Sequence, residues 1–207
     1  MKKLKEQIAL PLYIMRHPFD GFYRMKHMNE GKMSTAFILF FLFWISFVFM
    51  QQYGSITVST SHPQMHNSIR DGASIFAILV LWSLSNWAVT SLTDGEGKFK
   101  EIFMGNCYAF TPLILTLLPM TLASHLMTDT ESAFFFIVIT AAVIYFIFLA
   151  YVAMVSVQNY GAGKALGTIF LTIFAMLIIV FLGTVLMVLL QQMYNFAVNI
   201  YTELAFR

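Results

Sequence analysis

The chain has 207 residues, 59% of them hydrophobic and 11% charged, with a formal net charge of +2 at pH 7. A soluble domain carries about 25% charged residues, so the composition excludes an ordinary water-solvated globule, and nucleic acid is not an expected partner. Cys107 is the single cysteine, which excludes an internal disulfide and a cysteine metal cluster.

Residues 1–33 form a basic segment with seven of the 12 Lys and Arg residues. Its first apolar patch, Ile8–Met15, is broken by Pro11 and Arg16 and has no small-residue cleavage site behind it, so no cleavable signal is expected. In "HPFDGFYRMKHMNEGK", Phe19, Phe22 and Tyr23 fall at i, i+3 and i+4, with Arg16, Arg24, Lys26 and His27 supplying charge. That pattern suits a short interfacial helix at anionic headgroups. The same charges alone would also serve as a topology-fixing flank.

Five apolar blocks follow: Ser34–Gly54, Ala73–Leu92, Phe103–Leu126, Ala133–Val155 and Leu166–Leu190, none with an Asp, Glu, Lys or Arg. Crossing ~30 Å of hydrocarbon takes about 20 helical residues, and an ionised side chain near the centre costs roughly 2.5–3.5 kcal/mol. The expected fold is therefore all-α: a polytopic membrane protein whose residues 34–190 make a bundle of five transmembrane helices.

Between the first two blocks lies "SITVSTSHPQMHNSIRDG". His62 and His66 are four apart, as two ligands on one helix face would be, but Pro63 intervenes and no third ligand is near, so no metal site is expected. The second block holds Asn86, which suits a hydrogen bond across helices. After it comes a charge cluster, Asp94, Glu96, Lys98, Lys100 and Glu101. The spacings Glu96–Lys100 and Lys98–Glu101 suit a solvated helix start capped by Asp94.

The third block carries Pro112 and Pro119, seven apart and nearly on one face. Each removes a backbone hydrogen bond, so a kink is expected, with Thr111, Thr116 and neighbouring helices meeting the freed carbonyls. "VSVQNYGAGKALG" then turns at Gly161 and Gly163, and Gly163 with Gly167 makes a G-x-x-x-G at the start of the fifth block. The tail, residues 191–207, places Met193, Phe196, Ala197, Ile200 and Leu204 on one stripe and reads as an extracytoplasmic amphipathic segment. If it continues the fifth helix, Leu166–Phe206 rises about 60 Å, twice what a bilayer needs.

With the N-terminus inside, ten of the 12 Lys and Arg residues lie on the cytoplasmic side. The opposite topology leaves two there, so the positive-inside rule selects a cytoplasmic N-terminus and an external C-terminus in the cell membrane. The blocks hold no ionisable group except His125 near the outer end of the third, which argues against a proton- or sodium-coupled transporter. No nucleophile-elbow, zinc-protease or P-loop motif occurs. An intramembrane enzyme would rest on Cys107, Ser124 and His125, yet Cys107 and His125 are about 27 Å apart along a helix. No catalytic, cofactor-binding or metal-binding residue is expected.

"DGEGKFKEIFMGNCYAFTPLIL" resembles the central signature of the Yip domain family, the Ypt/Rab-interacting membrane proteins and their prokaryotic relatives. Asp94, Gly95, Gly97, Lys98 and Phe99 stand for its charged turn, and Tyr108 and Pro112 match its Y-x-x-x-P. "LPLYIMRHPFDGFYRMK" is similar to the prelude of the prokaryotic members, and "GKAL" to their fourth loop. Cys107 stands where the eukaryotic signature has Gly, and the D-L-x-G-P element and the long cytosolic N-terminal domain are lacking, which favours the prokaryotic branch. The resemblance implies a five-helix bundle that assembles with itself or with other membrane proteins.

Two functions follow as expectations. The first is a non-enzymatic membrane adaptor that docks through its Gly, Tyr108 and Pro112 region and presents residues 94–101 to a partner. The second is a component of a transport system, either an accessory subunit of a solute transporter or a path lined by Asn86 and the kinked third span.

Overall fold

Residues 2–54, 67–127 and 131–205 are described by a computed structural model. They form α1 (Lys2–Arg16), α2 (Pro18–His27), α3 (Met33–Tyr53), α4 (Ser68–Leu92), α5 (Phe99–Ala109), α6 (Thr111–Ser124), α7 (Ser132–Gln158) and α8 (Ala162–Ala205). No strand occurs among the described residues. Five stretches are long and apolar enough to span a bilayer: α3, α4, α5 with α6, α7, and α8. The chain is a multi-pass all-α membrane protein. His62 and His66 lie outside the described residues.

The helices outrun the charge-free blocks because a helix need not stop where hydrocarbon does. α4 begins at Ser68 rather than Ala73, and the Asn67 side chain caps it by accepting from the N–H groups of Ile69 (3.1 Å) and Arg70 (3.3 Å). On the N-terminal side of the membrane, three helices stop at residues in the left-handed region: Asn29 (φ 53°), Asp94 (φ 56°) and Asn159 (φ 55°). Asn and Asp tolerate that backbone where most L-residues do not. The next N–H then reaches back to the last turn, Gly95 N to Thr90 O at 2.8 Å and Tyr160 N to Val155 O at 3.1 Å. Asp94 therefore ends α4; it does not cap the following helix as the charge spacing suggested.

The N-terminal segment is a helical hairpin rather than one short helix. Gly21 permits it: a Cβ there would lie 2.8 Å from the Ile14 Cα. The expected aromatic stripe is divided. Phe22 is fully buried, while Phe19 and Tyr23 are exposed. Phe22 and Met25 face inward as α2 packs on α7, and the Tyr145 hydroxyl of α7 donates to the Met15 carbonyl.

The third span is the hub. Every residue from Ile102 to Ala109 is buried, and α5 and α6 together pack against α3, α4 and α7. The span breaks once, at Phe110, just before Pro112. Pro112 cannot donate to the Tyr108 carbonyl, and the Thr111 hydroxyl does so instead at 2.6 Å. Phe110 is stacked between Phe43 of α3 (4.4 Å between centroids, 2° between planes) and Phe146 of α7 (5.2 Å, 8°). Pro119 lies within α6, whose helical run is not interrupted there; Thr116 Oγ1 bonds one turn earlier, to the Pro112 carbonyl at 2.8 Å.

α8 is the outlier. It packs on α4 and α7 through Ala165, Thr168 and Thr172, and every residue from Phe181 to Glu203 is exposed. Its 44 residues rise about 66 Å. The helix runs through residue 190 without a break.

Candidate interaction site

The charged turn between α4 and α5 is held from beneath by Gln158, the last residue of α7. Gln158 is 1% exposed. Its Oε1 accepts from Gly97 N at 2.9 Å, and its Nε2 donates to Thr90 Oγ1 at 3.3 Å and Asn86 Oδ1 at 3.4 Å. Asn86 in turn donates to Thr172 Oγ1 of α8 at 3.3 Å and lies 3.6 Å from Met154 Sδ. Two amides, Gln158 and Asn86, thus join α4, the turn, α7 and α8. In an apolar bundle these bonds matter because an unpaired polar group there has no water to turn to.

The two glycines of the turn have a steric reason. A Cβ on Gly95 would lie 2.5 Å from Gln158 Oε1, 2.7 Å from Thr90 Cβ and 2.7 Å from the Tyr160 hydroxyl. One on Gly97 would lie 2.8 Å from both Gln158 Nε2 and Val157 Cγ1. Tyr160 completes the clasp: its hydroxyl sits 2.8 Å from Thr93 Oγ1 and donates to the Thr93 carbonyl at 3.0 Å.

Above this clasp Asp94, Glu96, Lys98 and Lys100 are exposed. The expected pair Glu96–Lys100 is not the one formed. Glu96 accepts from Asn159 Nδ2 at 3.4 Å and pairs with Lys26 of α2 at 3.3 Å. The Asn159 amide first, and the Lys26 charge second, hold its carboxyl below the usual carboxylate range. Lys98 and Glu101 do meet, through the Lys98 backbone N–H and the Glu101 carboxylate at 3.1 Å, which caps α5.

Tyr108 is 1% exposed, and its hydroxyl accepts from the Lys32 N–H at 3.3 Å, tying α5 to the start of α3. With Pro112 two residues past the break, the Y-x-x-x-P brackets the interruption at Phe110.

The family model for the Yip1 domain matches residues 12–196, most of the chain. The chain belongs to the Yip1 domain family. Neither the curated proteins nor the solved structures yield a match. The match runs from α1 into the exposed part of α8, so it takes in the hairpin, the clasped turn and the broken third span.

The structure gathers Asn86, Asp94, Gly97 and Lys98 of this Yip1 domain around one loop. Tyr108 and Pro112 lie deeper, at the helix break. Pro119 is on α6, and Gly163 and Gly167 are apart from the loop on α8. Apart from α8's own backbone, no atom of the described residues lies within 4 Å of where a Cβ would stand on either of those two glycines. Gly163 belongs to α8 itself, not to the turn. Cys107 is buried in α5, whereas Ser124 and His125 sit at the far end of α6. No group of three or more His, Cys, Asp or Glu residues is placed to hold a metal among the described residues.

Sequence reasoning missed Gln158 and Tyr160, which read as ordinary turn residues in "VQNYG". It also missed Gly105, where a Cβ would lie 3.3 Å from Ala153 Cβ, and Asn106, whose amide donates to Ser83 Oγ at 3.4 Å. Asn106 was legible only as a polar residue inside an apolar block. Beside the helix break is a cavity of about 510 Å³ with mostly apolar walls, among them Phe110, Phe146 and Trp82; Asn106 and Gln158 also line it. Asn86 does not line it.

Proposed function

We propose that this Yip1-domain protein is a non-enzymatic membrane adaptor that assembles with itself or with another membrane protein and presents the 94–101 loop to a cytoplasmic partner. The observation that carries the proposal is the clasp. Glycines at 95 and 97 let Gln158 fix the backbone while Asp94, Lys98 and Lys100 are left in solvent. A rigid backbone with outward charges loses little freedom on binding and steers a partner of complementary charge. The open Gly163/Gly167 face of α8 supports helix docking between subunits in lipid. The excess of Lys and Arg on the N-terminal side supports a cytoplasmic location for it.

Affinity capture after mild solubilisation tests this reading. It should recover a homo-oligomer or a stoichiometric membrane partner, and Lys98→Glu with Lys100→Glu should lower partner recovery about tenfold with the melting temperature unchanged. A purified monomer that recruits nothing overturns it. Labelling of Lys98→Cys from outside intact cells by an impermeant reagent would reverse the orientation.

A second reading, a component of a transport system, is favoured by the cavity beside the break at Phe110. Its apolar walls suit a lipophilic solute rather than an ion. Flux of such a solute in proteoliposomes, reduced by Pro112→Ala, supports this reading; no flux from the chain alone ends its stand-alone form.

A further inference from the structure

The cavity beside the helix break has a shape and a polar group that specify its ligand, and the inference rests on the second reading only in sharing that cavity. Along α7 its walls run from Phe146 to Gln158, a rise of about 18 Å. On α4 they run from Ile75 to Trp82. The space of about 510 Å³ is therefore drawn out along the membrane normal. Two of its walls, Ile78 and Ile147, are 60% and 59% exposed on spans that lipid surrounds, so it opens sideways to the bilayer. No Asp, Glu, Lys, Arg or His lines it among the described residues.

The polar group is Asn106, 9% exposed. Its Nδ2 gives one hydrogen to Ser83 Oγ at 3.4 Å. Its Oδ1 accepts from no group among the described residues, yet it is not sealed off, because room for a partner adjoins it. A buried amide with an idle acceptor is costly unless a ligand meets it. Gln158, the other amide there, is committed to the clasp.

Depth decides the charge of that ligand. The third span, Phe99–Ser124, has 26 residues and rises about 39 Å, against ~30 Å of hydrocarbon. Centred in the bilayer, it places Asn106 about 6 Å below the hydrocarbon boundary on the N-terminal side. A phosphodiester held at that depth would have neither water nor a cationic side chain to offset it. An uncharged head can sink there.

We infer that the cavity holds one chain of an uncharged, hydroxyl-bearing acyl lipid, the chemistry of an acylglycerol. The hydroxyl bonds Asn106, and the chain runs away from the charged turn toward Phe146. A hydroxyl both donates and accepts, so one group serves Asn106 Oδ1 and the spare hydrogen of Nδ2.

The test titrates the full chain in detergent with monooleoylglycerol, or with lysophosphatidylglycerol carrying the same chain, and reads retained lipid by native mass spectrometry. Wild type should retain monooleoylglycerol over its charged counterpart by about tenfold. Asn106→Leu should lower that retention about tenfold. Ala150→Phe fills the cavity from α7 and should abolish it, with circular dichroism checking that both variants fold. A diazirine on the chain gives a readout that needs no variant: crosslinks in the wild type should fall on α4 and α7 between residues 75–82 and 146–158. Equal or greater retention of the charged lipid, retention unchanged in both folded variants, or crosslinks confined to other helices overturns the inference. Flux separates it from the transport reading: retained lipid without flux ends that reading alone, and flux without retained lipid ends this one alone.

Discussion

α5 and the outgoing half of α8 are both apolar helices, yet they meet opposite fates. Ile102–Ala109 is buried on every side, and Phe181–Glu203 is exposed on every side. Hydrophobicity does not separate them, because lipid solvates Leu as well as a neighbouring helix does. Small and polar residues do. α5 carries Gly105 against Ala153 and Asn106 against Ser83. α8 packs where Ala165, Thr168 and Thr172 recur on one face. Where the described helices of this bundle pack closely, small or polar residues let backbones approach or bond; small residues alone do not bring a partner, as Gly163 and Gly167 show.

The contrast can be broken most severely at the clasp. Gly95→Val would drive a branched side chain into Gln158, Thr90 and Tyr160, and should destabilise the protein by about 3 kcal/mol, read as a lowered melting temperature in detergent. Gln158→Leu should cost about 2 kcal/mol, since it strands the Gly97 N–H in a buried site. The same change should raise hydrogen exchange at Gly97 above that at Ile102. An intact exchange pattern would show that the clasp does not hold the turn.

A smaller effect comes from Glu96. Its carboxyl is held below its ordinary range in the folded protein, so the contribution of its contacts is present above the ordinary carboxylate pKa of about 4.3. That contribution fades as pH falls through the depressed value. Glu96→Gln should flatten this acid limb of the melting curve and leave neutral pH little changed. Least of all should come from Gly163→Leu, where nothing stands in the way: stability of the isolated chain should move by less than about 0.5 kcal/mol. If that variant unfolds the monomer, the α8 face is not free.

Much of this was legible in the sequence, for one physical reason. Charge exclusion from hydrocarbon is a local rule, so each of the five blocks announces its span. The proline rule is local too, and Pro112 marks the broken span. Pro119 shows its limit, since the helical run continues through it. What stayed hidden depends on residues far apart in the chain. Gln158 and Gly97 are 61 positions apart, and Lys26 and Glu96 are 70. Helical spacing therefore paired Glu96 with the wrong lysine. The amphipathic pattern of Phe19, Phe22 and Tyr23 could not say that Phe22 alone would turn inward, because that depends on Gly21 letting α1 approach.

The stacked rings of Phe43, Phe110 and Phe146 bear on how the third span can move. A gap in the backbone ladder ordinarily makes a pivot. Here the residue at the gap is gripped by one ring from each of two other helices, and each such pair contributes about 0.5–1.5 kcal/mol beyond its buried area. Swinging α6 relative to α5 means sliding Phe110 out of that grip or carrying both neighbours along. The proline makes the joint, the aromatic rings act as its brake, and three helices tilt together or stay put.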